Sequence, residues 1–286
     1  MSTFNNKLGY LDDNFKLFHI RDKKELNFDY HHHDFNKIII LISGNAKYFV
    51  EGKIYDLKPW DILFINHNEI HKPIVDPDVF YERIVIWVKP KFEGKNLQNE
   101  NSLLKCFDIA KKSKYNLLRL NNSNIETLKN LVSQIVSTKE NDDFGKDILN
   151  YALFLQSMVL INRWFIESKK NRNAEGVTSY KIIEDIIEYI NSNINSDLSI
   201  ETLASRFNIT RFSISRHFKN KTGNSLHNYI VKRRLIVAKE LIGNGYSMKT
   251  VAEKSGFKDY STFVRAFKKE YKMSPREYLK NVIRKD

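Results

Sequence analysis

Arg211, Phe212, Ser215, Arg216 and Lys219 share one face at helical spacing, while Ile214 and Phe218, four residues apart, fall on the other. Further along, Tyr260, Ser261, Val264, Arg265 and Lys268 stand in the same relation to Phe263 and Phe267. Arginine offers a planar fork matched to O6 and N7 of guanine, serine a hydroxyl, and an aromatic ring a surface for the thymine methyl. Lysine neutralises phosphate. A helix face that is polar and basic apart from one ring is the kind that enters the major groove of a DNA duplex. Arg216 and Arg265, one turn inside their helices, are the expected guanine forks; Lys219, Lys221, Lys232 and Lys268 are the expected phosphate contacts.

The flanking residues supply the elements that position these faces. Leu203 and Ala204 belong to a short helix, and Ala204 is small enough for a second helix to cross it closely. Asn208 follows where a turn needs a residue tolerant of positive φ, and Thr210 can cap the next helix. The order recurs 48 positions later with Val251-Ala252, a turn at Gly256, and Phe263 and Phe267 inward. This is a degenerate repeat of a helix-turn-helix unit. Between the copies, Ser225 to Ile242 reads as one helix of roughly 27 Å at 1.5 Å per residue. That is close to the ~34 Å between successive major-groove faces on one side of a duplex, so one chain can address two consecutive grooves. A single copy fits a plain helical bundle equally well; two copies with turn residues and basic outward faces favour double-stranded DNA.

Charge distribution agrees. The formal net charge is +13, and residues 178–286 hold 21 Lys+Arg against 11 Asp+Glu, whereas residues 1–177 hold 26 against 23. The excess lies on the part that would neutralise phosphates. With 42% hydrophobic and 28% charged residues the composition is globular, and the apolar run Ile38 to Ile42 is far too short to span a membrane. Met1 to Gly9 has no secretory pattern, so a cytoplasmic location without membrane contact is expected. The single cysteine, Cys106, cannot make an internal disulfide or a thiolate zinc cage and reads as a small buried side chain.

The N-terminal half has another pattern. Ile38 to Ile42 suits a strand buried on both faces, Asn45 to Leu57 a hairpin turning at Glu51-Gly52, and Asp61 to Ile65 and Arg83 to Val88 two more strands separated by a turn-forming segment, Asn66 to Asp78. These suggest a small barrel or sandwich. From about residue 100 the pattern is helical: Ile125, Leu128, Leu131, Val132 and Ile135 share a face, and Ile148 to Phe165 is apolar on most sides. A helix apolar nearly all round must be covered twice, by its own domain and by either further intramolecular packing or a second subunit. Glu167 to Gly176 is polar and unpatterned, a linker, after which Ser179 is expected to cap a helix carrying Ile182, Ile183, Ile186, Ile187 and Ile190.

Over residues 180–280 the sequence resembles the AraC family of bacterial transcription regulators, most specifically in Gly256-Phe257, in Phe263 to Tyr271 (FxRxFKKxY) and in Ser274-Pro275. The resemblance implies base reading by Phe212, Ser215 and Arg216 in the first unit and by Tyr260, Ser261 and Arg265 in the second. The family's helix-cap position in the second unit falls on Lys258, so Asp259 is expected to cap instead. Residues His31 to Val88 resemble, less specifically, the cupin-type effector domain of this family. His31, His33 and His71 lie near where enzymatic cupins place metal ligands, but the expected carboxylate is Lys37 and the turn glycine is Trp60. The histidines therefore read as metal ligands, as the lining of an organic-ligand pocket, or as structural, with the cation at position 37 arguing against metal; no cofactor is called for. Arg83, Val85 and Trp87 point to one face of their strand and suit a polar effector such as a sugar or carboxylate, or else a core Trp87 with Arg83 at the barrel mouth.

The expectation is an α+β protein. It comprises a cupin-like effector-binding β-barrel (1–98), a helical arm (99–167) that is a candidate for dimerisation, a linker (168–177) and an all-α domain with two helix-turn-helix units (178–286). Its expected partners are double-stranded DNA, a small-molecule effector, a second copy of itself and RNA polymerase. The competing reading is a cupin-type metalloenzyme with an appended DNA anchor; an architectural nucleic-acid protein fits poorly with recognition positions that include Ser, Tyr and Phe. If the linker isolates the last domain, residues 175–286 expressed alone fold and bind DNA at low salt. An insoluble fragment, or one silent in a low-salt gel-shift titration, refutes that division.

Overall fold

Ile38, Ile39, Ile40 and Leu41 each expose 2% or less of their surface, and the N-terminal fold is arranged to achieve this. The computed structural model describes residues 11, 13–23, 30–92, 102–140, 142–168 and 176–283. The isoleucine run forms β2 (Asn36–Ser43), which pairs antiparallel with β7 (Tyr81–Val88) on one side and β5 (Ile62–Ile65) on the other. Outside β7 lies β1 (Phe15–Asp22), and outside β5 the two-residue β8 (Leu117–Leu118), giving the order β1-β7-β2-β5-β8. A second sheet has the order β6-β3-β4-β9, from β3 (Ala46–Val50), β4 (Lys53–Leu57), β6 (His71–Val75) and β9 (Val177–Ser179).

Alternation along β2 sends its residues to two cores. Ile38 and Ile40 pack, with Ile84, Ile86 and Phe64, on helices α1 (Lys105–Ser113), α2 (Asn122–Glu140) and α3 (Lys146–Ser168). Ile39 and Leu41 face the second sheet and meet Tyr48, Val50 and Tyr55. Glu51 and Gly52, both at positive φ (43° and 94°), make the tight β3–β4 hairpin. Trp60 also sits at positive φ (71°) where the family's turn would carry glycine, and its N–H donates to the Leu41 carbonyl at 2.6 Å.

Four expectations are corrected. The segment Asn66 to Asp78 is not only turn: it contains β6, whose Pro73 is tolerated because β6 is the edge of its sheet. The region expected as a purely helical arm contributes β8 to the first sheet, and its helices share one core with the strands. Ser179 does not cap a helix; it ends β9, its hydroxyl donates to the Glu184 carboxylate, and α4 (Lys181–Ser192) starts at Tyr180 without a side-chain cap. Residues expected as the end of the linker are held instead: the Asp56 N–H donates to the Gly176 carbonyl at 2.8 Å, and Arg119 donates to the Asp56 carbonyl at 2.9 Å.

The chain divides into two compact units between Thr178 and Ser179. The second unit is helical: after α4 come α5 (Ile200–Arg206), α6 (Arg211–Thr222), α7 (Leu226–Gly243), α8 (Met248–Lys254), α9 (Tyr260–Tyr271) and α10 (Pro275–Ile283). The caps are local and strong. Ser199, Thr210, Ser225, Ser247 and Asp259 each accept a backbone N–H three residues on. Among the described residues no helix is long and apolar enough to cross a membrane.

Both helix-turn-helix turns use positive φ, 51° at Asn208 and 86° at Gly256. Only the second is sterically closed. A Cβ on Gly256 would strike the Ile194 carbonyl oxygen and lie 2.8 Å from Arg234 Nε, the group that, at 3.2 Å, ties α7 to that carbonyl. Gly256→Ala is therefore expected to cost more than about 1 kcal/mol and Asn208→Gly to stay within about 0.5 kcal/mol. Urea unfolding of the full chain, followed at the helical transition, checks the ratio; equal effects would mean that the second turn can open.

Candidate DNA interface and effector site

Each recognition helix is fixed from behind by aromatic packing. In α6, Ile214 and Phe218 are fully buried, and Phe218 meets Tyr229 of α7 edge-on at 5.5 Å. In α9, Phe263 and Phe267 are fully buried against Phe257, Tyr271 and Tyr278. The expected base readers lie on the opposite faces. Arg211, Arg216 and Lys219 are exposed and Ser215 is half-buried, while Phe212 exposes 72% of its surface. Tyr260, Ser261, Arg265 and Lys268 are likewise exposed.

Their surroundings separate them. Arg211 is engaged by Glu201 at 3.1 Å, which aims it along α5. Arg216 lies 6.0 Å from the Phe212 ring centroid, so the two form one apolar-backed cation at the start of the helix. Asp259 caps α9, its carboxylate accepting from the Thr262 N–H at 2.7 Å and hydroxyl at 2.8 Å; those bonds hold its pKa below the usual carboxylate range. Arg265 reaches the same Thr262 hydroxyl at 3.3 Å, which positions its fork one turn in from the cap. Lys232, expected on a phosphate, is instead half-buried in an ion pair with Glu270 at 2.8 Å that joins α7 to α9.

In the first unit, residues far apart in sequence meet. The backbones of His31 and His71 exchange hydrogen bonds at 3.1 and 3.0 Å, and His33 stacks on Phe35 with centroids 4.6 Å apart. One ligand nitrogen from each of His31, His33 and His71 falls within 4.8 Å of the others. Lys37 stands among them. Its ammonium donates to His33 Nε2 at 2.8 Å and lies 3.4 Å from His71 Nε2. The His71 Nδ1–H donates to the Glu69 carbonyl at 2.9 Å, which leaves Nε2 as acceptor, and burial followed by neighbouring positive charge holds its pKa well below the ordinary imidazole value. Burial and the charge of Arg83 lower the Lys37 ammonium to about 7. With two of the three histidines already serving a cation, the cluster is a poor cage for a divalent metal, because the ammonium and the metal would compete for the same lone pairs.

The strand register puts Trp87 opposite Lys37, Val85 opposite Ile39 and Arg83 opposite Leu41, all toward the second sheet. Trp87 joins the histidine cluster, 6.3 Å from His33 and stacked on Phe35 at 4.4 Å. Arg83 does not join it. It is 8% exposed, held bidentate by Asp22 at 2.9 and 3.3 Å, and its guanidinium lies 4.0 Å over Tyr81, whose hydroxyl pairs with Tyr48 at 2.7 Å. Asp22, Tyr48 and Tyr81 were not foreseen; only their places on strands hinted at them. Glu69 was missed too: burial and the charge of Glu51 raise its carboxyl to about 7, and Asn66 and Asn116 donate to it at 2.8 to 3.1 Å. Cys106 is fully buried, which pushes its thiol up and leaves it inert.

Comparison with known proteins follows the same division. An AraC-like ligand-binding domain matches residues 17–156, and a helix-turn-helix domain matches residues 203–281. The HTH-type transcriptional activator RhaR of Mannheimia succiniciproducens is 25% identical over 264 residues, covering 90% of this chain and 89% of its own length. The activator RhaS of the same organism is 28% identical over 251 residues, covering 87% and 88%. The crystal structure of ToxT from Vibrio cholerae aligns over 94% of this chain and 98% of ToxT, with 18% identity and a TM-score of 0.38. With an AraC-like ligand-binding domain followed in chain order by a helix-turn-helix domain, the chain belongs to the AraC family of transcription regulators.

Proposed function

We propose that this protein is a cytoplasmic transcription activator, working as a homodimer, in which a small molecule held between the two N-terminal sheets controls how two reading heads per chain meet DNA. One observation carries the DNA part: the recognition helices bury Ile214 with Phe218 and Phe263 with Phe267 completely, and each leaves an arginine exposed about one turn from a capped N-terminus. The two relatives are activators by name, which favours activation and RNA polymerase as the further partner. Lys37 among the histidines weighs against the metalloenzyme reading, so no catalytic residue or cofactor is assigned.

The dimer is assigned to the outer face of α3. Ile148, Val159 and Ile166 expose 75%, 38% and 47% of their surface; Ala152 and Leu155 stand between Ile148 and Val159 at spacings of four, three and four, and Ile166 lies seven residues, two turns, beyond Val159. Such a seam is the pattern by which helices pair side by side. Val159→Glu with Ile166→Glu is expected to convert a dimer to a monomer in sedimentation velocity, leaving the melting temperature within a few degrees; an unchanged sedimentation coefficient removes α3 from the interface.

Arg216→Ala or Arg265→Ala is expected to cost about 1 to 3 kcal/mol on the cognate site and to relax sequence preference within one groove. Lys219→Ala or Lys268→Ala weakens binding to every sequence about equally and lowers the slope of log K against log salt by roughly one. Titrations of selected and random duplexes at three salt concentrations separate the two behaviours. Should Arg216→Ala lower both affinities by the same factor, that side chain is a phosphate clamp.

A further inference from the structure

The charge inventory of the N-terminal interior is incomplete. Arg83 has its own carboxylate, Asp22, at 2.9 Å. Lys37, on the same face of the sheet, has none among the described residues: its ammonium meets only the lone pairs of His33 and His71. Two of three ammonium donors are used, and imidazole acceptors share a proton without supplying negative charge. Burying a cation without a counter-ion is costly, and natural sites relieve that cost with an anion. Trp87, the residue paired with Lys37 across the strands, carries a second donor in need of an acceptor, its buried indole N–H, which has no hydrogen-bond partner. The surrounding rings, Phe18 at 4.7 Å and Phe35 at 4.4 Å from Trp87, are apolar.

We infer that the effector is a small organic carboxylate, whose anionic head completes the Lys37–His33–His71 cluster and whose body rests against Trp87 and Phe35. This rests on the reading of the two-sheet domain as the effector site and narrows its ligand class. One uncompensated ammonium matches a monoanion better than a phosphate dianion, and the adjacent rings favour an organic tail over an inorganic ion. Access is available, because His31, His33 and Lys37 are half-buried rather than sealed. The low proton affinity of empty Lys37 fits the same picture: an arriving carboxylate favours the charged amine. A neutral sugar would leave the charge uncompensated.

The test uses the full chain at pH 7 with sodium propionate as the probe, against sodium chloride and sodium phosphate at matched ionic strength. Propionate is expected to raise the melting temperature saturably by about 2 to 4 °C beyond the two salts, in line with a gain of about 1 kcal/mol for a chain of this size. Lys37→Met removes the propionate response and melts above the wild type in plain buffer; Lys37→Gln, which keeps a donor without the charge, serves where the methionine variant fails to fold. An equal response to chloride or phosphate, or an unchanged response in the Lys37 variants, overturns the carboxylate assignment. The duplex titration is then repeated with propionate. Binding that leaves DNA affinity unchanged keeps the anion site and removes effector control. No propionate-specific shift, together with DNA binding that responds to D-glucose, keeps effector control and removes the carboxylate.

Discussion

Everything in the N-terminal unit follows from burying one strand on both faces. β2 carries four consecutive aliphatic residues, and a strand has two sides, so Ile38 and Ile40 require one cover and Ile39 and Leu41 another. Helices α1 to α3 provide the first and the second sheet the second. Once that register is set, Lys37 has no choice. It shares the parity of Ile39 and Leu41, so it points between the sheets, and the antiparallel pairing places it across from Trp87. Moving the register by one residue would put a lysine into the helical core and an isoleucine among the histidines.

The C-terminal unit is held by a more local logic. Six helix starts are capped by Ser, Thr or Asp three residues before the N–H they accept, and each recognition helix rests on two ring or aliphatic side chains with no exposure. Rigid backing and a fixed start leave the outward side chains with few ways to point. The backbone from which Arg216 and Arg265 project is thereby fixed, which is the preorganisation that a DNA-reading role for them would need.

This difference explains how much was legible in the sequence. Caps, turn residues and inward pairs act within about ten residues, so the two helix-turn-helix units, the cap at Thr210 and the glycine-like turn at Asn208 could be read directly, while the cap at Asp259 followed from the family resemblance. The effector unit depends on partners far apart in the chain. His31 meets His71, Arg83 finds Asp22, and Asn116 supports Glu69, none of which spacing can announce. Strand β1 was overlooked because it is half-exposed, and β6 because Pro73 reads as a turn until the strand is known to be an edge. Lys232 misled for a related reason: a basic residue on a helix between two reading heads looks like a phosphate contact, and only the fold brings Glu270 to it.

A ligand can shift a protein between states only by as much as it prefers one of them. An apolar pocket offers a modest preference, since the empty form is already comfortable. A cluster in which an ammonium meets two imidazoles and, among the described residues, no carboxylate is different, because the buried charge carries an electrostatic penalty that an anionic ligand would relieve. The second sheet gives that penalty somewhere to act. His71 lies on β6 at one edge, and the far edge is β9, three residues long, from which the chain runs on toward α4. A three-residue edge strand is among the least stable parts of a sheet. Lys37 itself stands on β2 of the other sheet, so its tie to the sheet that ends in this exit strand runs through His71, and the exit strand is supported in turn by the Arg119 bond to the Asp56 carbonyl on β4.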